Sequence, residues 1–88
     1  MQAQRKDSQK RRAKILAVAH PNFPPDKLAH FAASPDAELR AAVARSPYAT
    51  PDVLRTLALD GNAEVRRNVA QNALAPDEIR ALALLSSD

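Results

Sequence analysis

A proline-aspartate pair recurs along the chain, at Pro25-Asp26, Pro51-Asp52 and Pro76-Asp77. Three residues after each proline stands a leucine or isoleucine, and three further on comes an apolar residue followed by alanine. These positions are Leu28, Phe31 and Ala32 in the first copy, Leu54, Leu57 and Ala58 in the second, and Ile79, Leu82 and Ala83 in the third. Because residues at i, i+3 and i+4 lie on one face of an α-helix, each copy predicts a short amphipathic helix with that face buried.

A second element lies between these copies. Residues 36–40 (DAELR) match residues 62–66 (NAEVR), and each segment is followed by a Val-Ala pair, with Val18-Ala19 in the same place near the start. Leu39 and Val43 are four residues apart, which makes a second apolar helical stripe. The unit therefore repeats with a period of about 25 residues, as helical repeat arrays do.

The boundaries of these elements have local causes. Asp36 and Asn62 are preferred N-cap residues, and Thr50 can cap the helix that begins with proline at its first position. Helices of about ten residues are unstable alone in water, so each must lay its apolar face on a neighbour. We therefore predict an all-α fold, an α-solenoid of short paired helices with about two and a half repeats.

Composition excludes several other classes. The chain has one glycine, Gly61, and seven prolines, which is typical of short helices rather than of a β-protein. It has no cysteine, so disulfides, thiolate zinc sites and cysteine-ligated iron-sulfur clusters are excluded. No apolar run is long enough for a membrane span and the N-terminus lacks the apolar core of a secretory signal, so we expect a cytoplasmic protein that does not enter membranes.

Positive charge is concentrated at the start. Residues 1–14 hold six basic residues and one acidic residue, and the remainder is mildly acidic. The six are Arg5, Lys6, Lys10, Arg11, Arg12 and Lys14. We divide the chain into a basic N-terminal arm or cap, residues 1–13, and a helical repeat domain, residues 14–88. The cluster Lys10, Arg11, Arg12 and Lys14 is either a solvated polar cap or a contact for phosphates or an acidic partner.

Three stretches, VARSPYATPDVLRTLA (residues 43–58), AEVRRNVAQNALAPDEIRALA (63–83) and VAHPNFPPDKLAHFA (18–32), resemble units of the leucine-rich repeat variant family, a bacterial type of repeat akin to HEAT and armadillo repeats. The last unit departs from the pattern with Ala73 in place of the first proline, and the middle unit has Ala49 inserted. The resemblance implies a right-handed stack of paired helices, one of each pair being either α or 3₁₀. The family has no reaction attached to it, so the resemblance implies a role in binding protein or nucleic acid. The cysteine-ligated iron-sulfur segment of some members has no counterpart here.

Candidate functional residues are mostly arginines. Arg40 and Arg66 occupy equivalent places. Each either joins a surface ladder of arginines or pairs with an acid of a neighbouring turn, for which the candidates are Asp26, Asp36, Asp52 and Asp60. We predict a partner-binding face and, at the C-terminal end, an apolar face that contacts another subunit. The binding face is Arg40, Arg45, Tyr48, Arg66 and Arg67, and the subunit contact is Ile79, Leu82 and Leu85.

The two histidines favour structural roles over metal binding or catalysis. His20 aligns with Arg45 and Gln71 at a helix C-terminus, and His30 lies at a surface position. Nothing in the pattern points to a catalytic pair, a cofactor or a metal, so we expect a non-catalytic interaction module that binds a protein partner. The alternative is a nucleic-acid-binding accessory protein that uses the basic arm.

Overall fold

The computed structural model describes residues 2–86, with side chains from residue 9 onward. These residues form six helices and no strand. The helices are α1 (Gln2–Val18), α2 (Pro25–Ala32), α3 (Ala37–Ala44), α4 (Pro51–Ala58), α5 (Ala63–Gln71) and α6 (Asp77–Leu85). All six are α-helices, so within residues 2–86 neither member of a pair is a 3₁₀-helix. The all-α fold is confirmed.

The helices stack in two layers, as a solenoid does. Helices α1, α3 and α5 pack in succession to form one layer, and α2, α4 and α6 form the other. Between the layers, α3 packs against α2 and α4, and α5 packs against α4 and α6. We call the layer of α1, α3 and α5 the basic layer, for the charges described below. The boundary that we predicted between the basic arm and the repeat domain, after residue 13, lies inside helix α1, which continues through it without a break.

The core lies between the two layers and consists of alanine, leucine, valine and isoleucine side chains. Leu28, Leu54 and Ile79 are almost completely buried, at 0%, 0% and 1% exposure, which confirms the helical face predicted from the repeat. From the other layer, Val43 and Val69 are fully buried against them. Burial of each such side chain contributes about 1.5–3 kcal/mol.

The predicted helix caps form. The Asp36 carboxylate accepts a hydrogen bond from the backbone N–H of Glu38 at 3.0 Å, and the Asn62 side chain accepts from Glu64 at 2.9 Å. The Thr50 hydroxyl accepts from the backbone N–H of Val53 at 3.3 Å. Caps of this kind contribute about 1 kcal/mol each, so short helices gain defined starting points.

The turns share a device that the sequence alone did not reveal. In five turns a side chain accepts a hydrogen bond from the backbone N–H two residues later, at 2.9–3.1 Å. The accepting residues are His20, Ser34, Ser46, Asp60 and Asn72. His20, Ser46 and Asn72 stand one repeat apart, as do Ser34 and Asp60. His20 thus corresponds to Ser46 and Asn72, and the alignment with Arg45 and Gln71 was wrong by one residue.

Candidate interaction surface

Arg40 is held inside the stack. Its guanidinium forms a two-pronged ion pair with the Asp60 carboxylate, at 2.8 and 3.2 Å, and donates to the backbone carbonyl of Ser34 at 2.8 Å. The two charged side chains are only 19% and 11% exposed. Arg40 therefore links the ends of α2 and α4. Of the two predicted alternatives, an ion pair with an acid or a place in a surface ladder, the structure shows the ion pair for Arg40.

Arg66 repeats the same arrangement one unit later. It donates to the backbone carbonyl of Asp60 at 2.6 Å, just as Arg40 donates to Ser34. Each arginine thus satisfies a carbonyl left free beyond the end of the preceding helix. The Nε of Arg66 is buried without a hydrogen-bond partner among the described residues, because no acid stands across from it as Asp60 does from Arg40. Both arginines contribute to the stacking of repeats.

The other predicted binding residues face solvent. Arg45 and Arg67 are exposed and form no ion pair among the described side chains, and Tyr48 is 44% exposed. Arg45 lines a shallow groove at the ends of α3 and α5, together with Pro47, Asn68, Gln71 and Leu74. The predicted face is therefore divided: Arg40 and Arg66 meet at Asp60, whereas Arg45, Tyr48 and Arg67 remain open.

Arg11 fastens α1 to the start of α3. Its guanidinium donates to the Asp36 carboxylate at 2.6 and 3.2 Å and also to the Glu38 carboxylate. The hydrogen bond from Arg11 is the main cause that lowers the pKa of Asp36 below its ordinary value. The charge of Arg11 is thus neutralised within the chain, although its side chain is half exposed.

The rest of the basic cluster stays open. Lys10, Arg12 and Lys14 are exposed, and none forms an ion pair with the side chains that the structure describes. With Arg45 and Arg67 they make a set that we call the free cations. All five belong to the layer of α1, α3 and α5, either within a helix or at its end.

Charge is unequal between the layers. The basic layer carries Glu38 and Glu64 as its acids among the described side chains of α1, α3 and α5. The opposite layer carries more acids, two of them paired with arginines: Arg55 with Glu78 at 3.1 Å and Arg80 with Asp77 at 3.6 Å. One side of the solenoid therefore presents unpaired positive charge, and the other is close to balanced.

The C-terminal end differs from the predicted subunit contact. Ile79 is 1% exposed and Leu82 is half-buried, because α6 lays this face on α4 and α5. Ile79 is therefore not available to another subunit, and its inclusion in that contact was wrong. The exposed side chains there are Leu84 and Leu85, at 60% and 80% exposure.

No group of three or more His, Cys, Asp or Glu side chains in the described part of the chain is placed to hold a metal ion. Within the same residues, no helix has both the length and the apolar character needed to cross a bilayer.

A family profile described as the Leucine Rich Repeat Variant domain matches residues 13–73. The chain belongs to the leucine-rich repeat variant family. No curated protein and no solved structure matches it. The leucine-rich repeat variant segment runs from α1 to the turn after α5, so α6 lies outside it although it repeats the pattern of α2 and α4.

Two features of this leucine-rich repeat variant chain were missed by sequence reasoning. The first is the difference between the paired and the free cations, for which the charge pattern held no signal. The second is Asn72, which is 8% exposed and donates to the carbonyls of Ala44 and Ser46 at 2.8 and 3.0 Å. The sequence did contain one signal for this role: Asn72 stands one repeat after Ser46 and two repeats after His20, and all three are side chains that can bond to the backbone of a turn.

Proposed function

We propose that the chain is a non-catalytic interaction module that binds a protein partner through the exposed side of its basic layer. The observation that carries this proposal is the division of the cations. Arg40 and Arg66 serve the stacking of repeats, whereas the free cations have no partner among the described side chains. Membership of a repeat family supports an interaction role, because stacked repeats build extended surfaces suited to binding.

The side chains between the free cations favour a protein over a nucleic acid. Glu64 is exposed on the same layer and forms no ion pair with the described side chains, so its carboxylate would repel a phosphate backbone. Arg11, the most firmly placed cation of the basic cluster, already binds two carboxylates. Tyr48 adds a partly exposed aromatic ring of the kind enriched in protein interfaces.

A nucleic-acid role is the second candidate, and one observation favours it. Lys10 and Lys14 lie about one turn apart on α1 with Arg12 between them in the sequence, and all three are exposed and without ion pairs to the described side chains. Such a cluster can neutralise several phosphates and would then release counterions.

Two binding assays separate these functions. Selection from a display library of random peptides should enrich ligands whose binding weakens with Arg45→Glu plus Arg67→Glu. Fluorescence anisotropy with labelled duplex DNA tests the second candidate, which requires binding that falls steeply between about 50 and 200 mM salt and with Lys10→Glu plus Lys14→Glu. If no peptide is enriched and DNA binds in this manner, the protein-partner proposal is wrong.

We also propose that Leu84 and Leu85 contact a second copy of the chain. Two adjacent leucines at 60% and 80% exposure leave apolar surface in water at the end of α6. Association that covers them is favoured by about 25 cal/mol for each Å² removed from water. Sedimentation velocity of the wild type and of Leu85→Asp tests this contact.

A further inference from the structure

We infer that the groove between α1 and α3 binds an acidic, amphipathic segment of the protein partner, which places one subsite of the proposed function. The groove is lined by Gln9, Arg11, Arg12, Ile15, Leu16 and Glu38. It combines an apolar floor with a cationic wall, and the two parts call for different groups on the ligand.

The apolar part centres on Leu16. Ile15 points towards the core and packs against it, whereas its neighbour Leu16 is 68% exposed. Leu16 also borders a second hollow, formed with Ala13, Ala17 and Phe23. A leucine on the ridge between two hollows offers an anchoring point for an apolar side chain of a ligand. Covering such a side chain removes apolar surface from water, which favours binding and offsets part of the entropy lost on association.

The charged part centres on Arg12. Arg11 is ion-paired with Glu38, the one acid that lines the groove, so this wall repels an incoming carboxylate less than a free acid would. Arg12 stands beside this pair, exposed and without an ion-pair partner among the described side chains. The side chains that line the groove therefore carry two positive charges against one negative charge, which favours a ligand carboxylate next to its apolar anchor.

The exposed leucine distinguishes this ligand from a nucleic acid. A duplex backbone is bound by cations through its phosphates, and that term depends little on a neighbouring apolar side chain. An acidic amphipathic peptide needs both Arg12 and Leu16. The groove therefore fits a helical peptide that has apolar residues along one face, at i, i+3 and i+4, and acidic residues beside that face.

The test is fluorescence anisotropy with the full chain and a labelled synthetic peptide that has leucines on one helical face and glutamates beside them. We expect Arg12→Glu to raise the Kd at least about tenfold and Leu16→Ser about five- to tenfold. The matched controls are Lys27→Glu, an exposed cation on α2 in the opposite layer, and Leu59→Ser, an exposed leucine after α4, and both should change the Kd less than about twofold. Circular dichroism of each variant confirms that it is folded.

Each other outcome overturns the inference in a recognisable way. If Leu16→Ser leaves the Kd unchanged while labelled duplex DNA binds more tightly than the peptide, the surface is a phosphate-binding one. If Arg45→Glu plus Arg67→Glu abolishes peptide binding and Arg12→Glu does not, the groove is wrong but the protein-binding function stands. If neither this peptide nor any library peptide binds, both the groove and the proposed function fail.

Discussion

Asn72 joins the turn after α5 to the end of α3, and its removal should destabilise the whole stack. Its side-chain amide donates to the carbonyls of Ala44 and Ser46, and its oxygen accepts from the backbone N–H of Leu74 at 2.9 Å. Asn72→Ala leaves the Ala44 carbonyl and the Leu74 N–H without this partner at a site only 8% exposed, whereas the Ser46 carbonyl still accepts from the Ala49 N–H at 3.3 Å. A buried polar group that loses its hydrogen bond costs about 1–3 kcal/mol. Taking the lower value for each of the two groups, we expect a loss of about 2 kcal/mol.

The measurement is urea unfolding followed by far-UV circular dichroism. A chain of this length is stable by about 4–13 kcal/mol, so the loss is a large fraction of the total. The midpoint of thermal unfolding should fall by about 8–16 °C. Asn72→Asp retains the acceptor for Leu74 but places a carboxylate against the carbonyl oxygens of Ala44 and Ser46, and this repulsion should make it cost at least as much as Asn72→Ala.

The matched control is Asn68→Ala. Asn68 donates one hydrogen bond, to the Ala41 carbonyl at 3.0 Å, and is only half-buried, so its loss should cost about 1 kcal/mol. A cost below about 1 kcal/mol for Asn72→Ala, or equal costs for the two variants, would refute the role assigned to Asn72.

Three further outcomes follow from the packing and the charges. Leu54→Ala, at a fully buried position, should cost about 2–5 kcal/mol in urea unfolding, whereas Leu59→Ala, at 62% exposure, should stay within about 0.5 kcal/mol; equal costs would contradict the core described above. Because Arg11 lowers the pKa of Asp36 below 3.8, the stabilisation by this pair is complete above that pH and disappears as the pH falls through the lowered pKa. The stability difference between wild type and Arg11→Gln should hold down to about pH 5 and shrink below about pH 4, and a constant difference would argue against the pair. Sedimentation velocity at high concentration should show species above the monomer mass that Leu85→Asp removes; a strictly monomeric wild type would exclude the contact.

The core and the helix starts could be predicted because they depend on neighbours in the chain. Leu28 and Leu54 follow their prolines at fixed short spacings, so the helix places them on one face wherever it packs. The caps at Asp36 and Asn62 bond to N–H groups two or three residues away. Neither feature requires knowledge of the rest of the fold.

The candidate surface could be predicted only in part. Arg45 and Arg67 were named and are exposed, but Arg40 and Arg66 were named with them and serve the stack. The same limit applies to Ile79, because a helical pattern shows which residues share a face and not which element covers it.

Repetition and short-range chemistry in the amino-acid order were enough to specify helices, their starting points and the need to stack. Which charged side chains form ion pairs was decided only by the tertiary structure, which brings turns distant in the sequence together. Arg11 meets Asp36 and Glu38 across separations of 25 and 27 residues, and Arg40 meets Asp60 across 20. An ion pair depends on the distance between two groups in space, and for residues so far apart in the chain that distance is set by how one repeat lies on the next.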